Sequence, residues 1–162
     1  MAESDALDRV LIALRRIIRA VDLHSRSLTQ RYGLTGPQLV VLRELSRRGE
    51  ISGSELAKTV SLSLPTVTGI LARLERRDLV SRRRSEVDKR RVMVRTTAEA
   101  DELLATAPPP LQESFAEQFD QLRDWEKSSI LASLQRIVAM MEAHELDASP
   151  ILTTDSILSR DD

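Results

Sequence analysis

The chain has 162 residues with a formal net charge of −1; 41 % are hydrophobic, 30 % charged and 2 % aromatic, and there is no cysteine. This describes one ordinary folded domain whose core is aliphatic, because the aromatics are only Tyr32, Phe115, Phe119 and Trp125. The lack of cysteine excludes disulfides, thiolate metal clusters, thiol nucleophiles and thiol redox sensors. His24 and His144 lie far apart in sequence, so no metal site and no cofactor is expected. No apolar run approaches the roughly 18 residues of a membrane span. The first ten residues, MAESDALDRV, hold no secretory core, so a cytoplasmic protein is expected.

Residues 5–31 are predicted as one long helix, since Leu7, Val10, Leu11, Leu14, Ile17, Ile18, Val21 and Leu28 share a face. Gly33 stops it. Thr35-Gly-Pro-Gln38 is a capping-box start for a second helix over 36–48, with Leu39, Val40, Leu42 and Leu45 inward. Ser52-Gly-Ser-Glu55 is a second capping box and opens a short helix to about Thr59. Ser63 caps the next helix, 64–77, with Pro65 in its first turn and an inner stripe of Val67, Ile70, Leu71 and Leu74. Two short helices joined by a tight turn form a helix-turn-helix pattern.

The period then changes. Residues 79–84 and 91–96 are predicted strands, with the polar segment 85–90 as the hairpin tip. Thr96-Thr-Ala-Glu99 reads as another capping box, and its helix runs to about Thr106. Pro108-Pro-Pro110 forces a break, helix resumes to about Leu122, and Asp124 caps a last helix over 125–146. Residues 147–162 have no periodicity.

Charge is segregated along this order. Residues 1–42 carry +2, residues 43–95 carry +7, and residues 96–162 carry −10. A basic middle segment attracts an anionic partner, and double-stranded DNA is the commonest. The fold class is mainly α with a small β-hairpin wing: a winged helix-turn-helix with N- and C-terminal dimerisation helices. The division is 1–34 for the first dimerisation helix, 35–97 for the winged lobe, 98–147 for the C-terminal dimerisation helices and 148–162 for an extended tail. The terminal helices carry more apolar stripe than one lobe can bury, which points to a homodimer joined through Leu11, Leu14, Ile18, Ile130, Leu134 and Ile137.

The segments LTGPQLVVLREL (34–45) and SGSELAKTVSLSLPTVTGILARLERRDLVSRRRSEVDKRRVMVRTTAEA (52–100) resemble the MarR family of bacterial transcription regulators. The combination of helix-turn-helix, Leu-Val-x-Arg strand and Asp-x-Arg wing carries the likeness, which extends over about residues 8–146. The resemblance implies a homodimer on a pseudo-palindromic operator, with helix 64–77 in the major groove and the wing tip in a flanking minor groove. It also implies an effector pocket between the dimerisation helices and the winged lobe, for which Arg16 and Tyr32 are candidates, with a small organic effector, an anion or no ligand as the alternatives. The missing cysteines and sparse histidines speak against thiol-oxidation and zinc-sensing branches of that family.

Ser61, Ser63, Pro65, Thr66 and Thr68 bring short hydroxyls and apolar carbons to the start of the recognition helix, where they can reach phosphates and base edges. Gly69 permits close backbone approach, and Arg73 suits a phosphate or base. Asp88 and Arg90 match the wing motif, in which a carboxylate two residues away holds the guanidinium outward for a narrow minor groove. Lys89, Arg82, Arg83 and Arg84 are then phosphate contacts, whereas Arg76 and Arg77 are assigned only to the solvated helix end. His24 is expected as an interface or core histidine, Trp125 as a packing anchor, and Met140 and Met141 as filler. The alternatives are a winged-helix regulator of another family and a winged-helix module that binds protein. No phosphate loop, nucleophile elbow or acid/base frame supports an enzyme.

Overall fold

The computed structural model describes residues 2–146, 148 and 150–154, with side chains from residue 5 onward. Seven helices and three short strands follow in order: α1 Ala2–Tyr32, α2 Gly36–Arg48, β1 Ile51–Ser52, α3 Gly53–Thr59, α4 Leu64–Arg76, β2 Val80–Arg84, β3 Val92–Thr96, α5 Ala98–Thr106, α6 Leu111–Asp120 and α7 Asp124–Met140. The sheet is antiparallel in the order β1-β3-β2, with Ile51 opposite Val94 and Val80 opposite Thr96. The hairpin expected from the sequence is therefore joined by a third strand.

The helix starts follow from side-chain caps. Thr35 and Gln38 form a reciprocal capping box, as do Ser52 and Glu55, while Ser63 accepts from Thr66 N–H. At α5 the cap is Thr97 rather than Thr96, because Thr96 still pairs with Val80 in the sheet. Thr97 also donates to the Asp78 carbonyl at 2.6 Å, tying the start of α5 to the end of the helix-turn-helix. The last helix ends at Met140, short of the expected 146, where Glu142 turns to a left-handed φ of 54° and a 3-10 turn covers Ala143–Glu145.

The core lies in the winged lobe. Leu34, Leu39, Leu42, Leu45, Leu56, Val67, Leu74, Leu79 and Val94 are all buried. On α2 it is Val41 that is fully enclosed, with Val40 half-buried at its edge. Each such side chain contributes about 1.5–3 kcal/mol by leaving water, and Leu28 of α1 and Ala100 of α5 complete the same cluster.

The terminal helices differ. Leu7, Val10, Leu11, Ile17 and Ile18 of α1 are exposed, and neither α6 nor α7 buries any residue in the single chain. Trp125, expected as a packing anchor, is 65 % exposed in the single chain, and Met140 and Met141 are exposed as well. The segment 150–154 folds back on α1 and α6: Ile151 is buried, Thr153 pairs with the Ser25 hydroxyl at 3.2 Å, and Leu152 N–H donates to Gln112 at 3.1 Å. The remainder of the expected tail, 155–162, lies outside the described residues.

Candidate nucleic-acid interface

α4 is seated by four inward residues, Val67, Ile70, Leu71 and Leu74, which rest on α2, α3 and β2. The opposite face holds Pro65, Thr68 and Gly69, all exposed, with Thr66 at its edge and half-buried. Thr66 is drawn into the cap, its hydroxyl 2.7 Å from that of Ser63. Thr68 donates its hydroxyl to the Leu64 carbonyl at 2.8 Å, so towards an outside partner it can only accept. A Cβ built on Gly69 meets nothing within 4 Å. Mid-helix glycine costs about 1 kcal/mol relative to alanine, and no internal packing demands it here. Ser61 forms the turn before α4 with a left-handed φ of 56°, which gives it a backbone role as well as an exposed hydroxyl. Arg73 is half-buried in the last turn of α4.

The wing tip is organised by its own polar groups. Ser85 N–H donates to Arg91 O at 2.9 Å, and Arg91 N–H to Asp88 O at 2.9 Å. Asp88 N–H donates to the Ser85 hydroxyl at 3.2 Å, and Arg90 N–H to the Asp88 carboxylate at 3.0 Å. Asp88 thus shapes the backbone under Arg90, where the wing motif predicts that the carboxylate holds the guanidinium. Val87 stands 98 % exposed at the apex.

The basic side chains divide into two groups. Arg82 is half-buried and faces Glu75, Nε to carboxylate 3.1 Å. Arg83 forks onto Glu50 at 2.5 and 2.6 Å and also reaches Glu86 at 3.2 Å. The Arg83 fork holds the Glu50 carboxyl below its ordinary range, and Glu50 raises Arg83 in return. By contrast Arg84, Lys89 and Arg90 are exposed and make no ion pair among the described residues. The charge on offer to an anion therefore sits at the outer end of β2 and on the wing tip. Glu50 and Glu75 were not singled out from the sequence; acidic residues placed before β1 and at the end of α4 were the only signal.

A second feature lies between α2, α5 and α6: an open cavity of about 1010 Å³ lined by Val40, Arg43, Leu104, Gln112 and Glu113 among others. Arg43 Nη2 donates to Ala107 O at 2.9 Å, while its Nε is buried with no hydrogen-bond partner among the described residues. Arg16 and Tyr32 do not line this space; Tyr32 instead donates its hydroxyl to Thr106 O at 2.8 Å. On α1, His24 is half-buried with Nε2 unpartnered among the described residues, and burial lowers its pKa. Among the described residues no acidic or histidine cluster has the makings of a metal site, and no helix is long and apolar enough to cross a membrane.

Residues 34–92 match the model of the MarR family. The chain is 26 % identical over 140 residues to the homoprotocatechuate degradative operon repressor of Escherichia coli, covering 86 % of this chain and 95 % of that one. It is 28 % identical over 131 residues to the HTH-type transcriptional regulator FarR of Neisseria gonorrhoeae, covering 81 % and 89 %. Among solved structures it is similar in fold to Staphylococcus aureus MepR in a DNA complex, with a TM-score of 0.55, 22 % identity and coverage of 80 % and 96 %. The matched span contains α2 through the start of β3, the same stretch that carries the hydroxyl-lined helix face and the basic wing.

Proposed function

We propose that the chain is a member of the MarR family, a DNA-binding transcriptional regulator that works as a homodimeric repressor on a pseudo-palindromic operator. The observation that carries this is the division of labour on α4. Its apolar side is locked into the lobe, while its outer side offers short hydroxyls and a glycine with open space over it. α4 then enters the major groove, where Thr68 accepts a hydrogen bond from a base amino group or packs its methyl on thymine. Arg90 enters the minor groove, and Arg84 and Lys89 bind phosphates. Arg82 and Arg83, turned to Glu75 and Glu50, brace the wing and contribute to the field rather than to a contact.

The dimer is supported by the uncovered stripes of α1 and α7. Leu11, Ile18, Ile130 and Leu134 are exposed, with Leu14 and Ile137 half-buried beside them. Two-fold symmetry sets the two recognition helices about one DNA turn apart, so half-site centres lie about 10 bp apart. Selection of bound DNA from a random pool tests this: an imperfect inverted repeat is the expected result, and recovery of asymmetric single sites alone overturns it.

The α2–α5–α6 cavity is the place for a small organic effector: Val40, Leu104, Ala105 and Ala116 give it apolar wall beside Glu44, Asp101 and Glu113, and Arg43 keeps an unpartnered Nε among the described residues. Arg43→Met abolishing ligand-induced release from DNA, with DNA affinity retained, is the expected outcome.

A further inference from the structure

The last helical turn of an α-helix leaves carbonyls without partners and a partial negative charge. At the end of α1 the Tyr32 carbonyl, and that of Gly33 just beyond it, are taken by a side chain from the winged lobe. Arg77, the residue that closes α4, donates Nη1 to Gly33 O and Nη2 to Tyr32 O, the latter at 3.2 Å. The fit is close: a Cβ on Gly33 would lie 3.1 Å from Arg77 Nη2, and Gly33 holds a left-handed φ of 61°. The same end of α1 is tied from the α5 side by Tyr32, whose hydroxyl donates to Thr106 O. α4 packs its inner face chiefly on α2, α3 and β2, so the Arg77 fork joins the recognition helix directly to the terminal helix.

We infer that Arg77 is a positioning residue: its two hydrogen bonds to the end of α1 set the angle of α4 against the dimerisation helix, and so decide which half-site spacing the dimer accepts. This rests on the dimeric DNA-binding reading for its second half only; the first half concerns one chain. A guanidinium suits the task because it is planar and presents two parallel donors, which an ammonium cannot do. A swing of the winged lobe, α4 included, about the end of α1 moves the two recognition helices apart or together in a dimer. A loosened lobe then tolerates several spacings and binds the best one less well.

The absence of native cysteine allows a direct test. Arg19→Cys on α1 and Ala72→Cys on α4, both exposed positions, take spin labels, and the labelled chain is diluted with unlabelled protein so that only distances within one chain are read. With Arg77 present the α1–α4 distance distribution is narrow. Arg77→Ala broadens it, and Arg77→Lys gives an intermediate width. An unchanged distribution in Arg77→Ala overturns the inference. If Arg77→Ala does not fold, Arg77→Lys and Arg77→Gln carry the same comparison, and parent-like widths in both overturn it.

The DNA arm uses inverted repeats whose half-site spacing is changed by one or two base pairs from the selected optimum. Arg77→Ala, still dimeric by light scattering, is expected to lose about tenfold affinity for the optimal site, equivalent to about 1.4 kcal/mol. Its penalty for wrong spacing shrinks, while the salt slope stays that of the parent. A salt slope reduced by about one unit with an unchanged spacing penalty would make Arg77 an ordinary phosphate contact and overturn the positioning role. If the parent itself shows no preference for any inverted repeat, the dimeric operator reading fails, while the spin-label result still decides the grip of Arg77 on α1.

Discussion

The carboxylate of Asp88 accepts the backbone N–H of Arg90 at 3.0 Å, and no ion pair joins the two side chains among the described residues. The acid of the wing motif therefore acts on the chain path, and the guanidinium of Arg90 stays exposed for an external partner. An asparagine can make the same backbone bond, because its side-chain oxygen also accepts. Asp88→Asn is thus expected to bind operator as well as the parent or slightly better, having lost one negative charge. Asp88→Ala loses the turn and binds more weakly. Arg90→Ala is expected to lose about 1–3 kcal/mol and its preference for A·T-rich flanks. Electrophoretic or fluorescence titrations on flank variants check all three, and parent-like binding by Arg90→Ala would remove the wing from the interface.

Glu50 holds Arg83 away from service as a free cation. Glu50→Gln releases that charge, so non-specific DNA binding tightens and the slope of log K against log salt steepens by up to about one unit. The same pair has a pH signature. The folded-state pKa of Glu50 is depressed, so its stabilising contribution is present above the ordinary value of 4.5 and fades as pH falls through the lower folded value. Glu55 shifts the same way, chiefly through the Ser52 hydroxyl. Burial pushes Glu44 up, but Arg47 and Arg48 together outweigh it and leave it lowered. Thermal melts taken from about pH 6 down to about pH 3 should fall less steeply for Glu50→Gln than for the parent. Equal slopes would show the pair to be fully screened.

Gly69 separates stability from recognition. Its Cβ position is open, and φ is not in the left-handed region, so Gly69→Ala is expected to stabilise the free protein by about 0.5–1 kcal/mol. The added methyl stands on the face proposed to meet DNA and is expected to weaken operator binding. A melting point raised by about 2–4 °C together with a lower affinity is the expected pair of results. A raised melting point with unchanged affinity would place the backbone of Gly69 clear of the groove.

Asp78 holds a left-handed φ of 56° between α4 and β2, a conformation in which an L-residue costs about 1–2 kcal/mol. Its carbonyl accepts from Thr97, and its N–H donates to Glu75 O at 3.0 Å; both bonds use backbone atoms and survive substitution. Asp78→Gly is expected to gain up to about 1 kcal/mol, read as a shift in the denaturation midpoint. A loss of stability would mean that the side chain of Asp78 supports the turn.

Ile18, 63 % exposed in the single chain, tests the assembly. Ile18→Glu places a charge in the proposed subunit interface and is expected to yield a monomer by light scattering at micromolar concentration. Operator affinity then falls by more than tenfold. A dimer of parental stability would move the interface elsewhere.

Much of this molecule was legible from residue order because the forces that make it are local. Caps at Thr35, Ser52 and Ser63, the three-residue stripe spacing on α4 and the run of prolines at 108–110 all act within one turn of chain, and each lies where the pattern placed it. The change from a period near 3.6 to extended pairing after Leu79 announced the wing in the same way. What needed the tertiary structure were the relations between distant positions. That Arg83 belongs to Glu50, Arg82 to Glu75 and Arg77 to the end of α1 depends on how separate elements come together, and identical charges along β2 carry no mark of which will be paired. The third strand exists only because β3 offers its free edge to Ile51, and the Thr97 cap replaces Thr96 because sheet pairing claims Thr96 first. Local chemistry determined which elements form and which face of each is apolar; three-dimensional packing decided which of the arginines remain free to meet DNA.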